Sequence, residues 1–122
     1  MQAILEKNID LYDYETIVDS ENRRLIGFGR YAGIVGAYNG IRAFGIKYEL
    51  FKLPKAETLS GKEALISQLK RVVLPPLKFV ITGTGKVGNG AKEILDAIKI
   101  KEVSVENYLI KNYAQPVFTQ ID

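Results

Sequence analysis

The sequence predicts an α/β chain, and three observations carry that reading. An apolar strand pattern, Lys78 to Thr82 (KFVIT), runs into the glycine-rich stretch GTGKVG and then into a helix pattern with Val87, Ala91, Ile94, Leu95 and Ile98 as its apolar positions. A run dense in small residues, Gly29 to Phe44, reads as a second long helix. A further strand pattern, Pro116 to Ile121 (PVFTQI), ends on Asp122. Strand, glycine loop, helix and strand in that order are the parts of a partial Rossmann-type dinucleotide-binding fold.

The remaining elements follow in chain order. Ala3 to Lys7 reads as the end of a helix. Asp10 to Val18 (DLYDYETIV) alternates as a strand, Asp19, Ser20, Glu21 and Asn22 form a polar turn, and Arg23 to Phe28 returns, which predicts a β-hairpin. In the helix from Gly29 to Phe44, Gly29, Gly33 and Ala37 form one i, i+4 row, and Ala32, Gly36 and Gly40 form a second. Glycine costs about 1 kcal/mol per helical position relative to alanine, so two such rows predict close approach of another backbone. That backbone belongs to the nucleotide unit or to a second subunit, which leaves a homo-oligomer among the arrangements. Gly45 is placed to cap the end of this helix.

Ser60-Gly61-Lys62-Glu63 has the pattern of a capping box and opens a helix to about Val72, with Leu65, Ile66, Leu69 and Val72 or Val73 on its apolar face. Pro75 and Pro76 set off the strand Lys78 to Thr82, which reads as buried. The helix after the glycine loop ends near Lys99, Lys101 to Val103 reads as a short strand, and Ser104 as the N-cap of a short helix, Val105 to Tyr113.

The glycine loop carries the chemistry. Gly83 makes the tight turn, Gly85 lets the backbone approach a phosphate, and Gly88 lets the helix pack closely on the strand. A helix beginning near Lys86 to Gly88 directs unpaired N–H groups and its positive dipole end at a pyrophosphate. The expected cofactor-binding residues are therefore Gly83, Thr84, Gly85, Lys86, Val87, Gly88 and Asp122. The acid that holds the adenine ribose is open between two residues. Glu106 stands at about the expected spacing of 20 residues after the loop, whereas Asp122 stands at the carboxyl end of the better strand. Neither has an arginine beside it, which favours NAD over NADP.

Composition excludes several classes. The 122 residues contain no cysteine and no histidine, which removes disulfides, thiolate metal sites and the commonest general acid/base; no metal is expected. No apolar run reaches the roughly 18 to 20 residues of a membrane span, and the amino terminus lacks the pattern of a signal peptide, so the expected partners include no membrane and the expected location is cytoplasmic. The net charge of +3 comes from lysines scattered among acids, without a basic stripe, which argues against nucleic acid.

The stretch DLYDYETIVDSENRRLIGFGRYAGIVGAYNG, followed by KFVITGTGKVGNGA, resembles the lysine-forming saccharopine dehydrogenases of the alanine dehydrogenase and transhydrogenase superfamily. The resemblance rests on Glu15, the Arg23-Arg24 pair, Phe28-Gly29-x-Tyr31-Ala32-Gly33 at the start of the small-residue helix, and the loop ending in Gly88-x-Gly90-Ala91. It implies two α/β domains flanking a cleft, with residues 1–45 as the end of the substrate-side domain and the interdomain helix, and residues 46–122 as the start of the NAD-binding domain. It implies that Arg24 pairs with a substrate carboxylate and that Glu15 tunes the charge of the pocket. The family's acid/base lysine and histidine precede residue 1, so no catalytic residue is expected within the segment.

The functional expectation is a segment of an NAD-dependent amino acid dehydrogenase of lysine metabolism, acting on the CH–NH group of an amino or imino acid and inactive alone. The alternative is a non-enzymatic NAD-binding regulatory module. Such modules start near their glycine strand, whereas this chain spends some 75 residues before it.

Overall fold

The computed structural model describes residues 2–122. Five α-helices and three strands make a mixed α/β arrangement: α1 Gln2–Glu6, α2 Gly29–Lys47, α3 Lys62–Leu69, β1 Lys78–Thr82, α4 Lys86–Ala97, β2 Lys101–Glu102, α5 Val105–Ile110 and β3 Val117–Ile121, with single 3₁₀ turns at Tyr14–Thr16 and Ala56–Thr58. The strands form one parallel sheet in the order β1-β3-β2. Lys78 is opposite Val117 and Thr82 opposite Ile121, so the carboxyl ends of β1 and β3 lie side by side.

Central β3 buries Val117, Phe118 and Thr119 in succession, the pattern of a parallel strand covered on both faces. β1, expected to be buried, is an edge strand in which only Ile81 is buried and Val80 is 47% exposed. A mostly apolar groove of about 430 Å³ runs beside it, between Ile41 and Phe44 of α2 and Phe79 of β1. The core joins Ile34, Tyr38 and Ile41 of α2 to Leu65 and Leu69 of α3, Ile94 and Leu95 of α4, Ile81 and Phe118. Buried Tyr38 donates its hydroxyl to the Pro54 carbonyl at 2.8 Å, and Arg42 Nε donates to that of Leu53 at 3.0 Å, which ties the connection after α2 to the helix.

The predicted hairpin does not form as two strands. Residues 10–28 contain the 3₁₀ turn and one antiparallel bridge, Val18 to Arg24. The cause is local: Asp13 Oδ1 accepts from the Glu15 N–H, and Asp19 Oδ1 accepts from the N–H groups of Glu21 and Arg23, each at 2.9 Å. These side chains take up amides that a strand ladder would need. The Arg23 N–H, together with Arg23 Nε donating to Asp19 Oδ2 at 2.8 Å, holds the Asp19 carboxyl below its ordinary range.

Two predicted caps are also absent. The N-cap of helix α3 is Gly61, whose φ of 154° lies in glycine's region, with no side-chain cap from Ser60, and the helix ends at Leu69 rather than Val72. Helix α2 passes through Gly45 to Lys47; Gly45 is buried because a Cβ there would collide with the Phe51 ring. The left-handed residue beyond the helix is Glu49, at φ 54°.

The long contact between α2 and α4 explains one small-residue row and not the other. A Cβ on Gly33 would strike the Val87 carbonyl and approach Ala91 N to 2.8 Å, one on Gly29 would come within 2.9 Å of Lys86 Cβ, and one on Gly90 would strike the Arg30 carbonyl. Gly36 and Gly40, expected to face a second backbone, have no neighbouring atom within 4 Å of a built Cβ. An ion-pair cluster fastens the same crossing: Arg30 Nε and Nη2 donate to Glu93 at 2.8 Å each, and Lys62 Nζ donates to Glu93 Oε1 at 2.9 Å. One carboxylate thus joins α2, α3 and α4. The bonds from Arg30, then those from Lys62, hold its carboxyl down to about 2.

Two outcomes follow for stability. Gly33→Ala should destabilise the chain by about 1 to 3 kcal/mol in urea denaturation, because backbone must move to admit the methyl group, whereas Gly36→Ala should be neutral or stabilising by up to about 1 kcal/mol. Equal effects of the two variants would contradict the crossing. Because Glu93 titrates near 2 in the folded chain against an ordinary 4.5, its contribution is complete above pH 4.5 and disappears as pH falls towards 2. Urea midpoints measured from pH 6 to pH 2 should therefore fall more steeply for the wild type than for Glu93→Gln; parallel curves would remove Glu93 from the account.

Candidate functional site

The site is built where β1 gives way to α4. Gly83 takes φ 86°, the left-handed conformation that its tight turn demands, and its N–H donates to the Ile121 carbonyl at 2.7 Å. Gly88, on the first turn of α4, lies so close to the Gly83 carbonyl that a Cβ would overlap it. Helix and strand meet at two glycines, as the sequence leads one to expect. Gly85 is the N-cap of α4, and a Cβ there would have no protein atom within 4 Å. The space in front of the helix start is open, and the first-turn amides of α4 have no partner within the helix.

Two side chains unremarked in the sequence hold the loop in shape. Gln120 Nε2 donates to the Gly83 carbonyl at 2.9 Å, and Asn89 Nδ2 donates to the Thr84 carbonyl at 2.8 Å. Gln120 Nε2 also reaches Asn89 Oδ1 at 3.3 Å, which links the two supports. Their effect is to satisfy and fix two loop carbonyls. No sequence pattern marks Gln120; its role arises from the parallel register of β3 against β1.

Asp122, just past the end of β3, accepts the Thr84 hydroxyl at 2.9 Å. The other candidate acid, Glu106, is in the first turn of α5, which Ser104 caps by accepting the Asn107 N–H at 3.2 Å. Helix α5 is anchored to the start of β1, since Lys78 Nζ donates to the Tyr108 carbonyl at 2.6 Å. No hydrogen bond joins Glu106 to the glycine loop among the described residues.

A cleft of about 480 Å³ opens beside the loop, lined by Arg30, Thr84, Gly85, Lys86, Asn89 and Glu93. Of the expected cofactor residues, Thr84, Gly85 and Lys86 line it; Gly83 and Gly88 pack against each other outside the lining, and the Val87 carbonyl lies against Gly33. Arg30 and Glu93 are members that the sequence did not reveal, because their pairing joins residues far apart in the chain. The expected substrate residues do meet: Arg24 Nη2 lies 3.2 Å from Glu15 Oε2, both largely open to solvent. Among the described residues no group of three or more Asp or Glu is gathered to hold a metal, and no helix is long and apolar enough to cross a membrane.

No family model matches the chain. Individual proteins do. The alpha-aminoadipic semialdehyde synthase of Arabidopsis thaliana is 33% identical over 112 residues, covering 77% of this chain and 10% of the relative. The mitochondrial enzyme of the same name from Bos taurus is 29% identical over 93% of this chain and 15% of its own length. The saccharopine dehydrogenase [NAD(+), L-lysine-forming] of Candida glabrata is 27% identical over 86% of this chain and 31% of its own length. The chain thus spans less than a third of each of these curated relatives. The chain belongs to the family of the alpha-aminoadipic semialdehyde synthases and L-lysine-forming saccharopine dehydrogenases, as a homologue of part of their length.

Proposed function

We propose that the chain is the cofactor-binding segment of an NAD-dependent amino acid dehydrogenase, with a Rossmann-type unit over residues 46–122 and the end of a substrate-side domain, with its connecting helix, over residues 1–45. The observation that carries this reading is the junction at the carboxyl ends of β1 and β3, where Thr84 donates to Asp122 beside the open Gly85 N-cap. A dinucleotide needs those two features together: amides at a helix start for its pyrophosphate and an acid on the neighbouring strand for its ribose hydroxyls.

The residues fit the group. Gly85 leaves room for a phosphate, the first turn of α4 supplies donors and positive potential, and Lys86 adds a charge at the rim. Asp122 accepts from ribose hydroxyls, and its negative charge opposes a 2′-phosphate, which selects NAD over NADP. When bound, the nicotinamide supplies the hydride donor or acceptor. The chain's own part is to hold and orient that cofactor against the CH–NH carbon of an amino or imino acid. Arg24, braced by Glu15, offers its remaining guanidinium donors to a substrate carboxylate. The relatives' names support an amino acid substrate and a place in lysine metabolism.

In this reading the chain holds and orients the cofactor, the proton transfers are made by the longer protein, and the segment alone is inactive. The reading includes a cytoplasmic location, against which stands the word mitochondrial in the names of the mammalian relatives.

Titration calorimetry should show NADH binding at least about tenfold tighter than NADPH, with binding lost in Gly85→Val, whose branched side chain fills the phosphate space. Undiminished binding by Gly85→Val would refute the loop assignment. In a longer protein carrying the flanking domains, Arg24→Ala should raise KM for the carboxylate substrate by an amount equivalent to about 1.5 to 3 kcal/mol, with kcat less affected. An unchanged KM would return Arg24 to a solvated ion pair with Glu15.

A further inference from the structure

The Arg30, Glu93 and Lys62 cluster uses only one edge of the Arg30 guanidinium, beside the cleft at the glycine loop. Glu93 already receives two bonds from Arg30, and Lys62 adds a second cation to the same Oε1. Lys62 Nζ also lies 3.8 Å from the exposed Glu63 carboxylate, so two cations face two acids across the crossing. Arg30 lines the cleft that Thr84, Gly85 and Asn89 line from the loop side. Its backbone is fixed there by the contact of its carbonyl with Gly90, and the Nε and Nη2 edge of its guanidinium is fixed by Glu93. Among the described residues Nη1 has no hydrogen-bond acceptor. Arg30 is thus a planar donor with one edge immobilised and the other unused, half exposed at the mouth of an open cleft.

We propose that Arg30 binds a phosphate oxygen of the dinucleotide seated on the glycine loop, and that Glu93 and Lys62 are the positioning residues that aim it. The inference rests on the dinucleotide reading of the loop given above. A guanidinium suits this task because its fork matches phosphate geometry and keeps its charge at any working pH. Glu93 removes the rotamer freedom that such a side chain would otherwise lose on binding. The lysine, donating to Glu93 Oε1 at 2.9 Å, holds that carboxylate in place behind the guanidinium.

The test uses the 122-residue chain with NADH and with inorganic pyrophosphate as a competing probe. Arg30→Gln should weaken both by about tenfold or more and make the dependence of NADH affinity on salt shallower, while Arg30→Lys should recover part of the loss. Unchanged affinity in Arg30→Gln, with NADH still bound by the wild type and lost in Gly85→Val, would overturn the role of Arg30 and leave the loop assignment standing. No binding of NADH by the wild type would overturn both. Should Arg30→Gln not fold, the guanidinium nitrogen resonances of Arg30 in the wild type decide the matter: a shift on adding pyrophosphate supports the role, and unmoved resonances on saturation with NADH overturn it.

Discussion

The structure depends on the approach of two helix backbones, α2 and α4, to a distance that no side chain can occupy. Gly33 meets the Val87 carbonyl, and Gly90 meets that of Arg30, so each helix contributes a glycine to the crossing. Side chains on either side then interlock as Ile34, Tyr38 and Ile41 against Ile94 and Leu95. Because Val87 belongs to the first turn of α4, the crossing also determines where the glycine loop stands. It brings the start of α2 to the mouth of the loop cleft, which is how Arg30 comes to line it.

A second close approach completes the arrangement. Gly88 against Gly83 sets α4 over the end of β1, and the parallel register with β3 brings Gln120 and Asp122 to the same end. The loop is then supported on three sides: by the Ile121 carbonyl on the Gly83 N–H, by Gln120, and by Asn89. Rigidity here matters for the proposed phosphate site, since donors that must be ordered on binding lose affinity. The relation to a segment of the saccharopine dehydrogenases and alpha-aminoadipic semialdehyde synthases gives this scaffold a chemical context that the fold alone would not supply.

The parts of the fold governed by local pattern were legible in the sequence. β1, the loop, α4, the Ser104-capped α5 and β3 all stand within a few residues of their expected bounds, because apolar periodicity and glycine punctuation decide them. The hairpin was not legible: Asp13 and Asp19 divert backbone amides that an alternating pattern assigns to a ladder. Nor could spacing say which small-residue row is the crowded one. Gly33 and Gly36 look alike along the chain, and only the position of α4 separates a collision from open space. Ser60 reads as a cap, yet Gly61 performs that turn with its own backbone freedom. At the site, Gly83, Gly85 and Gly88 were visible as a motif, while Arg30, Glu93 and Gln120 were not, since their partners are remote in sequence and no short motif encodes such pairs. Between Glu106 and Asp122, spacing pointed to the first and strand position to the second; in the structure Asp122 accepts the Thr84 hydroxyl of the loop.

The central claim is that the carboxyl ends of β1 and β3, with the start of α4, form one dinucleotide site. Backbone amide NMR of the labelled chain during addition of NAD addresses it most directly. The account predicts that the largest shifts fall on residues 83–88 and on Asp122, with those of Arg30 next and those of α5, including Glu106, unmoved. Shifts concentrated on α5 or along the apolar groove beside β1, with the glycine loop silent at saturation, would contradict it.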